Sequence, residues 1–173
     1  MVEIFLSLLL ERKILLVSAH RALLYHCAIA LISFLYPFRW VHNLIPVLPM
    51  HLVSFIDAPF PFLIGVETDV LSDLEVPEGV NTVMLDDGVF EMQEHLPKIP
   101  TRELKYLTSR LRKACAIFKK PDPVLKTVNE AFNTVFIVEA EEEEKFNELE
   151  VRDAFLEFMQ GIMKNYPKFI VIH

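Results

Sequence analysis

Few residues in this 173-residue chain have the types and spacing that could do chemistry. Asp86 and Asp87 stand side by side before Gly88, where paired carboxylates would serve acid/base work or hold a magnesium ion. Neighbours in a turn point in different directions, however, and Asp before Gly is ordinary turn chemistry. His42 and His51 flank a short apolar run and could approach each other, yet a lone histidine beside a core more often satisfies a backbone group. Cys27 and Cys115 both lie in apolar helical patterns, with no CxxC spacing and no HxxxH pair among six scattered histidines, so they read as buried reduced thiols. The four glycines form neither GxGxxG nor GxxxxGK[ST], and no GxSxG elbow is present. A Ser/His/acid triad would have to be assembled entirely by folding. No cofactor, metal or catalytic residue is expected from these motifs.

The elements that would position these residues are legible as patterns. Lys13–Ser18 reads KILLVS, a short apolar run suited to a strand buried on both faces. His20–Tyr36 looks helical and apolar nearly all round, and Leu44–Leu48 returns as a second strand. That order favours a right-handed parallel crossover. A short helix is expected at Met50–Ile56, ended by Pro59 and Pro61, then strands at Phe62–Val66 and Thr82–Leu85 separated by a loop over Ser72–Asn81. Beyond Pro97 and Pro100 the periodicity becomes helical. Leu104, Leu107, Leu111, Cys115 and Phe118 share one side of a helix, while Arg102, Lys105, Arg112 and Lys113 lie away from it. Asp122-Pro123 opens a second helix running to Phe136, and a third carries Val151, Phe155, Phe158, Ile162 and Met163. The expected architecture is an α/β three-layer sandwich with a mostly parallel sheet over residues 1–96, followed by a small all-α lobe over residues 97–173.

Charge and hydropathy exclude several function classes. Ala22–Tyr36, broken only by His26 and Ser33, is shorter than the ~20 residues a membrane span needs. Val2–Leu10 lacks the basic flank of a signal peptide and is interrupted by Glu3. The chain carries a net −7, but Lys98–Lys120 has eight basic residues and one acidic, a local +7, and Glu139–Asp153 has eight acidic and two basic, a local −6. The basic helix has no aromatic residues alternating with its cations, so a solvated face, or contact with protein or lipid, fits better than nucleic acid. The run Glu141–Glu144 fits a solvated loop. A hydrophobic content of 53% implies apolar surface that meets a partner or another part of the gene product.

One stretch stands out: YPFRWVHNLIPVLP at Tyr36–Pro49 leading to DAPFPFLIGV at Asp57–Val66. Aromatics bury large areas and prolines fix their presentation, which suits a core corner and a docking surface equally. Together with LLLERKILLVSAH at Leu8–His20, these segments resemble, in order and spacing, the central part of the DENN domain. The helical lobe, with VRDAFLEFM at Val151–Met159, resembles the downstream DENN subdomain. The resemblance implies a cytoplasmic regulator, peripheral on membranes, that binds a Rab-family small GTPase and promotes GDP release without covalent chemistry of its own; the upstream longin-like subdomain that normally precedes the central one in the family is missing from these residues. Arg39 and His42, beside the motif, and Arg110 and Lys113, on the basic helix, are the candidate partner contacts. A DENN-like scaffold without exchange activity, and a GTPase-activating role with Arg39 as the stabilising arginine, stay open. The family's D-L-D-x-G turn is altered, because Met84 takes the first acidic position ahead of Leu85, Asp86, Asp87 and Gly88.

Overall fold

The structure is a computed structural model that describes residues 1–71, 74–93, 95–97, 99–115 and 147–164. The chain divides into two compact units, Met1–Ile99 and Pro100–His173.

The first unit is built on a five-stranded sheet. Its elements are helix α1 (Val2–Leu9), strand β1 (Lys13–Ser18), helix α2 (Arg21–Ser33), strand β2 (Asn43–Ile45), a 3-10 segment (Met50–Asp57), strand β3 (Phe62–Glu67), the single turn α3 (Thr68–Leu71), and strands β4 (Val80–Met84) and β5 (Val89–Glu91). The strand order is β2-β3-β1-β4-β5, with every pair parallel except β4 with β5. The α/β class with a mostly parallel sheet therefore holds.

Connection handedness explains this order. From β1, α2 carries the chain past β3 to β2, and from β3, α3 carries it back past β1 to β4. Two right-handed crossovers that run in opposite directions must lie on opposite faces of the sheet. They do. Leu15, Val17, Phe62, Ile64, Val66 and Val80 form one core with Ile56 of the 3-10 segment and Val70 of α3. The alternate residues Ile14, Leu16 and Leu63 face the other side and are fully buried, as are Leu24 and Ala28 of α2. A side chain at Gly65 would drive into the backbone carbonyl of Pro46 and come within 3.2 Å of Leu24 Cβ, so α2 and the chain after β2 both close on this glycine. Helical layers thus cover both faces.

Several boundaries differ from the sequence patterns. The second strand ends at Ile45, because Pro46 has no N–H to continue a ladder. Within Val2–Leu10, the run read as lacking the features of a signal peptide, Val2–Leu9 is a helix with Phe5, Leu6 and Leu8 buried. It ends in a Schellman motif, in which the Glu11 N–H donates to Leu8 and the Arg12 N–H to Ser7, with Glu11 in the left-handed region at φ 54°. The segment at Met50 is a 3-10 helix kinked at Leu52. β4 starts at Val80, and β5, absent from the sequence reading, is a three-residue edge strand after the Leu85–Gly88 turn.

In the second unit, α4 (Thr101–Ala114) packs on α5 (Glu148–Met163). Leu107, Leu111 and Ala114 are buried in α4, and Val151, Ala154, Phe155, Phe158 and Met159 in α5. Asn147 caps α5, its side-chain oxygen accepting from the Glu150 N–H at 3.2 Å. This part is helical, as its periodicity implies. The helix expected from Asp122 to Phe136, the apolar position Phe118 and the acidic run Glu141–Glu144 lie outside the described residues.

Candidate protein-docking site

Because α2 and α3 leave the neighbouring strands β1 and β3 toward opposite faces, a crevice opens at the carboxyl ends of these strands, where open α/β sheets bind their ligands. The side chains there are spent on one another. Ser18, fully buried at the end of β1, donates its hydroxyl to Asp86 Oδ1 at 2.7 Å, and Asp86 Oδ2 accepts from the Ala19 N–H at 2.7 Å. Ser18 Oγ in turn accepts from the His20 N–H at 2.9 Å. Arg21 Nε, opening α2, lies 2.8 Å from Glu67 Oε1 at the end of β3. The cavity beside this pair holds about 410 Å3 and is walled by Val47, Leu48, Pro49, Met50 and Asp69. Asp86 is therefore a brace across three strands' ends as well as a turn residue. Asp86 and Asp87 are both exposed in this turn, and both oxygens of Asp86 are engaged, by Ser18 and by the Ala19 N–H. Met84, at the altered position of the turn, packs partly buried against the core beneath α3.

The unusual surface lies on α2. No Asp, Glu, Lys or Arg occurs from Ala22 to Phe38. The helix buries Leu24, Ala28 and Leu31 and turns Ala22, Tyr25, His26, Ile29, Ala30 and Ser33, at helical spacing, to solvent. Tyr25 and Ile29, with Tyr36, Phe38 and Val41 in the chain that follows, are between 42% and 75% exposed. A surface helix normally carries charge on its outer face, and an apolar one marks a place where something else packs. Cys27 is half-buried, and burial pushes its thiol above the usual range.

Two sequence candidates flank this stripe. Arg39 is exposed. His42 is half-buried, with its ring edge-on to Trp40 at 5.0 Å between centroids, and its Nε2 approaches Glu11 Oε1 to 3.1 Å without hydrogen-bond alignment. The Trp40 indole N–H donates to the Asn43 carbonyl at 3.3 Å. His42 thus joins the corner after α1 to the start of β2, and His51 stands exposed at the start of the 3-10 segment.

In the second unit, Arg110 turns toward α5, with Nη1 3.5 Å from the Tyr106 hydroxyl and 3.6 Å from Glu157 Oε2. The Tyr106 hydroxyl, and then the Glu157 carboxylate, raise its pKa further above the ordinary guanidinium value. Lys113 points outward with Arg102, Lys105 and Arg112.

The first unit is thus an open α/β layer in which α2 presents Ala22–Ser33 without Asp, Glu, Lys or Arg, and in which the Arg21–Glu67 ion pair lines the switch-point crevice. Comparison with known proteins identifies the family. The DENN (AEX-3) domain matches residues 1–88. The chain is 34% identical over 113 residues to the DENN domain and WD repeat-containing protein SCD1 of Arabidopsis thaliana, covering 65% of this chain and 10% of that protein. It is 28% identical over 176 residues to DENN domain-containing protein 2A of Mus musculus, covering 98% of this chain and 16% of that one. With DENN domain-containing protein 2B of Homo sapiens it shares 40% over 75 residues, 43% of this chain and 7% of the relative. The chain belongs to the DENN domain family, and it spans less than a fifth of the length of each of these relatives.

Proposed function

We propose that this chain is part of a guanine-nucleotide exchange module for a Rab-family small GTPase in membrane trafficking. Family membership supports a GTPase regulator, and the observation that carries the docking surface is the uncharged outward stripe of α2. Exchange needs no nucleophile. It needs a surface that binds the GTPase more tightly when its nucleotide-contacting segments are displaced than when they are closed, so that binding energy shifts the population toward the form that releases GDP. Exposed Tyr25, Ile29, Tyr36 and Phe38 supply the aromatic and aliphatic anchors such an interface uses.

Arg39, beside the stripe, and His42, at the Trp40 corner, are the proposed polar contacts in the first unit. Arg110 is the proposed contact in the second unit. Lys113 is grouped with the outward cations of α4. The module acts in the cytoplasm, at the periphery of vesicle or endosomal membranes.

The test is release of fluorescent GDP from a panel of Rab GTPases. Accelerated release from at least one member supports exchange. Binding without acceleration supports a scaffold, and faster GTP hydrolysis that is lost in Arg39→Ala supports an activating role; either result overturns the exchange reading.

A further inference from the structure

On α4, residues advance by 100° around the axis, and the buried Leu107, Leu111 and Ala114 define one side. Arg102, Lys105, Arg112 and Lys113 fall within an arc of about 100° opposite that side, with only Ser109 among them. All four are exposed, and no carboxylate shares the arc. The strip runs about 16 Å along the helix. Glu103 of α4 and Glu157 of α5 lie at the contact between the two helices, where Glu103 covers Gly161 and Glu157 approaches Arg110. At one margin Tyr106 is half exposed.

We infer that this strip is a docking surface for an anionic lipid bilayer. The charge is complementary to such a surface, and its layout fits a diffuse plane of charge better than a protein epitope. Protein interfaces concentrate their energy in buried aromatic or arginine anchors seated in pockets, whereas these cations stand in a row on long exposed stems. Nucleic acid would call for bases stacking on aromatics set among the cations, and the arc has none. The marginal tyrosine suits the headgroup level, where aromatic rings with a polar tip collect. The adjoining cavity of about 600 Å3, walled by Arg102, Lys105, Tyr106 and Lys164, also contains Glu103 and Glu157, which repel a phosphate from its interior. Adsorption therefore depends on the density of negative charge and not on one headgroup.

The test is sedimentation of the full chain with vesicles of phosphatidylcholine alone and with about 30% phosphatidylserine or phosphatidylglycerol. The wild type partitions onto both anionic vesicles alike and not onto the neutral ones, and added salt releases it. Each cation near the membrane contributes about 5-fold, so the double variant Lys105→Glu/Arg112→Glu loses at least about 30-fold. Lys105→Arg/Arg112→Lys, which keeps the charge, binds as the wild type does, and circular dichroism checks that both variants are folded. Equal partition onto neutral vesicles, preference for one anionic headgroup, or undiminished binding by the folded charge-reversal variant overturns the inference. Ile29→Asp on α2 leaves vesicle binding unchanged, so failure here and failure of the GTPase reading are separable.

Discussion

Replacing Asp86 by alanine removes the acceptor of two hydrogen bonds, each 2.7 Å long, that hold the β4–β5 turn to the end of β1. The two losses differ in cost. Ser18 is fully buried in the intact fold, but its partner Asp86 is exposed, so truncation gives water partial access to the hydroxyl and the loss costs about 1–2 kcal/mol. The Ala19 N–H is exposed, and water replaces the carboxylate there at a cost of about 0.5 kcal/mol. The sum is about 1.5–2.5 kcal/mol, or roughly 3–10 °C in Tm for a chain of this size. Urea unfolding followed by fluorescence of the sole tryptophan, Trp40, reports on the unit concerned. Asp86→Asn retains one acceptor and loses about half as much, whereas the exposed Asp87→Ala shifts the curve by less than about 0.5 kcal/mol. Equal midpoints for Asp86→Ala and Asp87→Ala would refute the brace and return Asp86 to simple turn chemistry.

Gly65→Ala, which pushes a methyl group onto the Pro46 carbonyl beside the 2.7 Å bond from the Leu48 N–H to the Gly65 carbonyl, destabilises by about 3 kcal/mol or more, read from the same urea curve. Glu11→Gly relieves the left-handed backbone at φ 54° and sacrifices only an exposed approach to His42, so it stabilises by about 0.5 kcal/mol, whereas Glu11→Ala destabilises slightly. Cys27, its thiol pushed up by burial, reacts more slowly with iodoacetamide in the folded chain than in urea at the same pH. The sign of the accompanying stability change follows from the raised folded value: the contribution is complete below the unfolded thiol pKa of ~8.5 and is lost as pH rises through the folded one. The urea midpoint of the wild type therefore falls more steeply above pH ~8.5 than that of Cys27→Ser.

The sheet was legible because its strands are buried on both faces. KILLVS and FLIGVE read as continuous apolar runs, and only a parallel layer covered on both sides needs such runs. The edge strand β5 was not, since Val89–Glu91 is three residues long and carries too little pattern to separate from the turn before it. Helix α1 was hidden for another reason: eight mostly apolar residues carry too little periodicity to mark a buried helix before their tertiary contacts are known. At the site, local chemistry was readable and long-range chemistry was not. Asp-Asp-Gly announced a turn, but the bond from Ser18 to Asp86 spans 68 positions and depends on β4 lying next to β1, which no local spacing encodes. The same limit applies to Arg21 with Glu67 and to Glu11 with His42. The absence of charge from Ala22 to Phe38 was visible in the sequence, yet it described a fully covered helix as well as one with a bare face; only the exposure of Tyr25 and Ile29 separates the two.

The central claim is that the bare face of α2 engages a GTPase and promotes release of its nucleotide. The dissociation rate of fluorescent GDP from the responding Rab, measured with the wild type and with Ile29→Asp, tests it most directly. Ile29 is 42% exposed, so the substitution leaves the fold intact while placing a charge in the stripe. The expected result is accelerated release by the wild type and a loss of at least about 10-fold in that acceleration for the variant, the scale of truncating one interface anchor. Undiminished acceleration by a folded Ile29→Asp chain would contradict the assignment of the stripe, and no acceleration of any Rab by the wild type would contradict the exchange function itself.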